Sequence, residues 1–122
     1  MASLSESLDR LLAIPGVRAA VLAGREGLPI EAVGHGDTRF LDLLGALGAS
    51  AYGSTEALGH ELASGQTVAA ILEFERALVS VDPVGEFAIV VTLADNAASL
   101  GTIRHTVRAI QGDILRTLDV LT

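Results

Sequence analysis

The sequence predicts a single α+β domain, in which a five-stranded antiparallel sheet carries helices on both faces in the order α-β-β-α-β-β-β-α. At 122 residues the chain is long enough for one hydrophobic core but not for two. Three segments carry apolar residues at helical spacing, and five short apolar segments lie between them. Every connection between consecutive strands is hairpin-sized except the one through the long helix, which favours antiparallel pairing.

The first helix is predicted from a capping box. Ser3 and Glu6 have the S-x-x-E spacing, and the leucines that follow recur at helical intervals. The string Ile14-Pro15-Gly16 ends this helix, because a residue before proline avoids the helical region and glycine permits the turn.

A hairpin is predicted to follow. Residues 17–23 form the first strand, with Val17 and every second residue after it on one face. Gly24-Arg25-Glu26-Gly27 is a turn sequence. The return strand, residues 28–33, contains Pro29, which cannot donate to a β-ladder, so this strand is placed at an edge of the sheet.

A long helix from Asp37 to Gly65 is the element around which we expect the fold to be organised. Asp37 and Thr38 are capping residue types, and Gly65 supplies a left-handed stop. Its larger apolar residues form one stripe, which we expect to face a sheet or a core: Phe40, Leu44, Leu47, Ala51, Leu58 and Leu62.

A second stripe of this helix consists of small residues. Gly45, Ala49 and Gly53 follow one another at intervals of four. Because each glycine inside a helix costs about 1 kcal/mol relative to alanine, the stripe indicates that another helix or a crossing strand approaches the backbone closely. We interpret it as a packing interface, with a second copy of the chain as one candidate partner; a general richness in alanine and glycine is the alternative.

Three more strands and a helix complete the pattern. The strands are predicted at residues 67–75, 77–82 and 87–93, and the last of them is so apolar that we place it in the centre of the sheet, covered on both faces. Asp95 and Asn96 are expected to cap the final helix.

The composition argues against several classes of partner. The net charge is −7 and the chain contains no lysine, which disfavours nucleic acids and anionic membrane surfaces. The longest uncharged run, Leu43 to Thr55, is shorter than the roughly 20 residues that a membrane-spanning helix needs. We therefore expect a soluble, cytoplasmic protein that is not inserted into a membrane.

No residue pattern predicts a catalytic, cofactor-binding or metal site. The chain has no cysteine, and its three histidines lie far apart without a second ligand at metal-binding spacing. It contains neither a phosphate-binding glycine motif nor a G-x-S-x-G elbow. We expect a binding protein rather than an enzyme, and an enzyme or small-ligand domain on a similar sheet is the weaker alternative.

Three short strings resemble the Roadblock family, which includes the dynein light-chain Roadblock and the MglB-type regulators of Ras-like GTPases. They are Ile14-Pro15-Gly16-Val17 leading into Val21-Leu22, then Gly27-Leu28-Pro29-Ile30, and finally Leu100-Gly101 with Ile103-Arg104. The strings occur in the order of the family, and the resemblance covers nearly the whole chain. It implies one Roadblock-like domain over residues 1–122 with a profilin-like architecture.

The resemblance also implies a homodimer, in which the long helices pair and the strands that follow them join edge to edge. The implied interface residues are Gly45, Ala49, Gly53, Val68, Ala70 and Leu72. A heterodimer with another Roadblock-type chain is left open.

A small Ras-like GTPase is the partner that the resemblance implies, docked on the face formed by the paired helices. The exposed polar residues of the long helix become candidate contacts: Arg39, Asp42, Glu56, His60 and Glu61. The alternative function is a scaffold or motor-associated light-chain adaptor that does not respond to nucleotide.

Overall fold

The computed structural model describes residues 2–121, so the two ends of the predicted domain, residues 1 and 122, lie outside the described part. The described residues form three helices and five strands in the predicted order. Their bounds are α1 Leu4–Leu12, β1 Val17–Gly24, β2 Pro29–Gly34, α2 Thr38–Glu61, β3 Ala70–Phe74, β4 Ala77–Val84, β5 Ala88–Ala94 and α3 Leu100–Leu121.

The five strands form one antiparallel sheet in the order β2-β1-β5-β4-β3. The predicted central position of β5 is confirmed: it pairs with β1 on one side and with β4 on the other. The edge position predicted for β2 from Pro29 is also confirmed. The other edge is β3, whose only partner among the described strands is β4.

Helices cover both faces of the sheet, as predicted. Alternation along the central strands sends Leu22 and Val90 toward α1 and α3, and sends Val21 and Val91 toward α2. The α1/α3 face carries most of the large buried side chains. The α2 face is built mainly from smaller ones, so α2 lies close to the sheet.

The first strand changes face near its start. Val17 packs with the α1/α3 core, whereas Ala19, Val21 and Ala23 pack beneath α2. An irregularity in the pairing with β5 between Val17 and Ala19 explains the change, because one extra residue reverses the alternation. The prediction that Val17 shares a face with Val21 was therefore wrong.

Capping fixes the starts of the first two helices as predicted. The Ser3 hydroxyl accepts a hydrogen bond from the Glu6 amide at 3.1 Å. The Asp37 carboxylate accepts one from the Phe40 amide at 2.8 Å. The α2 helix ends at Glu61, earlier than the predicted stop at Gly65.

The start of α3 differs from the prediction. Ser99 caps this helix, since its hydroxyl accepts a hydrogen bond from the Thr102 amide at 3.1 Å. Asp95 instead forms an ion pair with Arg18 at 3.1 Å. Asn96 donates its side-chain amide to the Phe74 carbonyl at 2.6 Å, which ties the β3–β4 hairpin to the end of β5.

Candidate interaction surface

Three small residues of α2, Gly45, Gly48 and Ala49, pack against the sheet of their own chain. A Cβ atom added at Gly48 would lie 2.5 Å from the Val91 side chain, and one at Gly45 would lie 3.0 Å from the Val21 side chain. Ala49 is buried in the same layer. The close approach inferred from these residues is therefore real, and a crossing strand is what approaches.

The apolar stripe of α2 faces outward, which corrects the prediction that it meets a sheet or core. Leu47 is 60% exposed and Leu58 is 58% exposed, while Leu44 and Ala51 are half-buried. We call the exposed apolar side chains of this helix and of the residue that caps its end the α2 ridge: Phe40, Leu43, Leu47, Leu58 and Leu62.

The orientation of α2 changes the implied dimer interface. Gly45 and Ala49 are covered by their own sheet, so they cannot touch a second copy of the chain. Gly53 is exposed and a Cβ added there meets no atom within 4 Å. It lies about 120° around the helix from Leu47, away from the ridge.

The edge strand β3 continues the apolar surface of the α2 ridge. Leu72 and Phe74 point to the same side of the sheet as α2, and with Leu44 and Leu47 they line an apolar cavity of about 160 Å³. Ile71 is exposed on the opposite face of the strand. We call the ridge together with β3 the α2–β3 surface.

The remaining residues of the implied interface differ in how far they are buried. Val68 lies just before β3 and is 70% exposed, and Leu72 is 36% exposed. Ala70, by contrast, is buried within its own chain. Val68 and Leu72 therefore remain available to a partner, whereas Ala70 does not.

The five polar residues predicted to contact a GTPase do not form one cluster. Arg39 and Asp42 lie at the start of α2, whereas Glu56, His60 and Glu61 lie near its end. Arg39 and Glu56 are 17 positions apart in the sequence, which corresponds to about 26 Å along a helix axis. Arg39, His60 and Glu61 are exposed, Asp42 and Glu56 are half-buried, and a single small contact cannot reach all five.

Glu56 takes part in a structural network that sequence reasoning missed. Its carboxylate accepts a hydrogen bond from the Thr67 amide at 2.9 Å, and the buried Tyr52 hydroxyl lies close to it. The pKa of Glu56 is lowered, first by the Tyr52 hydroxyl and then by the Thr67 amide. Glu56 therefore holds the segment before β3 against α2.

Arg25 completes this network from the β1–β2 turn. Its guanidinium carbon lies 4.9 Å from the centre of the Tyr52 ring, and one guanidinium nitrogen donates to the Gly85 carbonyl at 2.8 Å. Burial raises the pKa of Tyr52 to about 12, with Glu56 adding to the rise and Arg25 opposing it. Arg25, Tyr52 and Glu56 are thus engaged within the chain.

Two further observations concern the residues that the structure describes. Within residues 2–121, no three acidic or histidine side chains come together in a way that could hold a metal ion. None of the helices in the same range is both long and apolar enough to cross a membrane.

The antiparallel five-stranded sheet with helices on both faces has a profilin-like architecture. Residues 4–94 match the family model of the Roadblock/LC7 domain, which is more than half of the chain. The protein belongs to the Roadblock/LC7 domain family. None of the curated proteins compared with the sequence matches it.

Several solved structures share the fold of this chain. A Roadblock/LC7 domain from Streptomyces avermitilis superposes with a TM-score of 0.89 at 20% identity, covering 96% of this chain and 98% of that one. The MglB structure described as having a tetrameric arrangement gives a TM-score of 0.86 at 25% identity, covering 100% and 96%. The gliding protein MglB from Thermus thermophilus gives a TM-score of 0.81 at 25% identity, covering 96% and 93%.

Proposed function

We propose that this protein is a homodimeric, non-catalytic module that binds a small Ras-like GTPase in the cytoplasm and regulates its nucleotide cycle or location. The observation that carries the proposal is the α2–β3 surface, where an unpaired strand edge and a ridge of exposed leucines lie side by side. Membership of the Roadblock/LC7 family and the likeness to MglB structures support it.

The exposed edge of β3 supports self-association. An edge strand with exposed apolar side chains is a template for pairing with another strand, and natural proteins cover or interrupt such edges. In this chain Ile71, Leu72 and Phe74 are exposed, and only Glu73 adds a charge within the strand. Antiparallel pairing of two β3 strands would cover this edge and join two sheets into one.

The α2 ridge fits the same assembly. Leu47 lines the cavity beside Leu72 and Phe74, so two copies related by a two-fold axis at β3 would bring both ridges toward that axis. Each ridge would then bury leucine surface that a single chain leaves in water. The related MglB structure is described as having a tetrameric arrangement, which supports self-association of this chain.

A GTPase would dock on the outer side of the paired helices. Pairing would bring two copies of Arg39, His60 and Glu61 to one composite surface, and all three are exposed in the single chain. Arg25 is held by the Gly85 carbonyl and Arg76 lies in the tight β3–β4 turn, so neither is placed as an arginine finger. Regulation would therefore work by positioning the loops of the GTPase itself.

Affinity capture under two nucleotide conditions tests this function. The purified protein is incubated with lysate of its source organism containing either GDP or a non-hydrolysable GTP analogue, and bound proteins are identified by mass spectrometry. We expect one Ras-like GTPase to be enriched in only one arm, because a regulator binds the two nucleotide states unequally. An Arg39→Glu variant should capture less of it, since Arg39 is exposed on the docking side.

Two outcomes would count against the regulator. Equal capture of a GTPase in both arms would favour a scaffold that does not respond to nucleotide. Capture of other proteins without any GTPase would do the same, and it would remove the docking role proposed for the outer side of α2.

A further inference from the structure

A second apolar surface lies between the β4–β5 turn and α3. Its cavity has a volume of about 350 Å³, and we call it the Phe87 cleft after its most exposed residue. Phe87 is 81% exposed, the largest value among the described large apolar side chains. The lining side chains that matter here are Ile30, Val84, Glu86, Phe87, Leu115 and Leu118.

The exposure of Phe87 is built into a fixed turn. Its carbonyl accepts a hydrogen bond from the Arg25 amide at 2.9 Å, and the Arg25 guanidinium binds the Gly85 carbonyl at 2.8 Å. Gly85 has a φ of +65° and lies so close to α3 that an added Cβ would be 2.7 Å from the Leu115 side chain. The aromatic ring is therefore presented to solvent from a well-anchored backbone.

The Phe87 cleft is separate from the α2–β3 surface. Val84 and Ala88 at its base belong to the core on the α1/α3 face, whereas Leu72 and Phe74 lie on the α2 face. The two surfaces share no residue. A partner in the cleft would thus leave the proposed dimer and its GTPase surface free.

Charge decides between possible occupants of the cleft. Glu86 and Asp119 both line it, in a chain of net charge −7. A second copy of the chain would bring an identical pair of carboxylates to a two-fold contact at this cleft, and an anionic membrane would also be repelled. A basic protein segment would be attracted, and an apolar side chain on it could fill the space beside Phe87.

We propose that the Phe87 cleft binds a segment of a partner protein in which apolar anchor residues are flanked by lysine or arginine. The apolar anchors supply affinity by covering Phe87, Ile30 and Leu115, and the basic flanks supply specificity through Glu86. This binding goes beyond the proposed GTPase regulation and does not depend on it.

The test is a titration of the isotope-labelled protein with a defined peptide, in which NMR chemical shifts of the backbone amides report binding. The probe is a 14-residue amphipathic helix of leucine and lysine, and the comparison peptide has glutamate in place of lysine. We expect the lysine peptide to shift amides of residues 84–88 and 115–118, and the glutamate peptide to bind at least 10-fold more weakly.

Two variants locate the binding. Phe87→Ser keeps the net charge and should weaken binding of the lysine peptide by at least 10-fold, while Glu86→Gln should weaken it by a smaller factor. Leu28→Ser changes an exposed leucine that does not line the cleft, keeps the net charge and should leave the affinity unchanged. Because Phe87 is largely exposed, the serine variant should keep the amide spectrum of the folded protein elsewhere.

Several results would overturn the proposal. Each of three outcomes would show that the cleft does not bind basic segments. They are peptide-induced shifts confined to α2 and β3, equal binding of the glutamate peptide, and unchanged affinity of Phe87→Ser. A fall in oligomeric mass caused by Phe87→Ser would assign the cleft to self-association instead.

Discussion

Replacing Leu47 by aspartate is expected to convert the proposed dimer into monomers that remain folded. Leu47 is 60% exposed in the single chain, so the substitution removes little packing from the chain's own core. In a two-fold assembly each change counts twice, and two added carboxylates would face each other near the axis. We expect the dissociation constant to rise by at least about 100-fold, which corresponds to about 2.7 kcal/mol.

Sedimentation velocity over a range of protein concentrations measures this effect. The matched control is Leu28→Asp, because Leu28 is similarly exposed but lies in the segment leading into β2. This variant should keep the mass of the parent protein. Dissociation of Leu28→Asp, or an unchanged dimer of Leu47→Asp, would contradict the proposed interface.

Replacing Gly48 by alanine is expected to destabilise the fold, although alanine is the better helix former. The added Cβ would lie 2.5 Å from one methyl carbon of Val91 and 3.1 Å from the other. Val91 is completely buried in the central strand, so it has little room to move. Overpacking of this kind costs about 1 to 3 kcal/mol, which exceeds the gain of up to about 1 kcal/mol in helix propensity.

Gly53→Ala is the control. It lies in the same helix, and the expected change in stability has the opposite sign. Apart from the backbone of its own helix and its chain neighbours, no atom lies within 4 Å of its added Cβ, so the helix-propensity gain of about 0.5 to 1 kcal/mol should appear as added stability. Urea unfolding at one fixed protein concentration compares the two variants, because the stability of a dimer depends on concentration. Equal stability of the two variants would mean that α2 does not press on β5 at Gly48.

The order of elements could be predicted because each depends on local signals. Ser3 caps α1 as its spacing with Glu6 indicates, and Pro29 marks the edge strand because proline lacks an amide proton. Those effects act within a few residues and do not require knowledge of the tertiary structure.

The orientation of α2 could not be predicted in the same way. Periodicity shows that Leu47 and Gly45 lie on different stripes, but it does not show which stripe is covered by the chain's own sheet. We expected the leucines to be inside because burial of large apolar groups is usually the dominant stabilising term. The glycine side of α2 packs against the sheet instead, and the exposed leucines are available to the proposed partner.

Tertiary contacts explain the other differences. Asp95 is a good capping residue, but Arg18 pairs with it, and Ser99 caps α3. Phe87 was expected inside the central strand, yet it lies one residue before β5 and is exposed. The Phe87 cleft joins Ile30, Phe87 and Leu115, residues so distant in sequence that no local pattern connects them.

Disulfide cross-linking at the edge of β3 tests the central claim most directly. The chain has no cysteine, so a single introduced cysteine reports only on contact between two copies. In an antiparallel pair, directly opposed Cβ atoms lie about 4.5 to 5.5 Å apart, near the range that a disulfide bridges. Single cysteines are introduced at Ile71, Leu72 and Glu73, with Glu31→Cys on the β2 edge as the control.

Mild oxidation followed by non-reducing electrophoresis detects the disulfide-linked dimer. If two β3 strands pair about a two-fold axis, at least one of the three adjacent β3 cysteines forms a cross-linked dimer efficiently, and Glu31→Cys stays monomeric. Cross-linking at Glu31 with none along β3 would contradict the account and place the self-association surface at the opposite edge of the sheet.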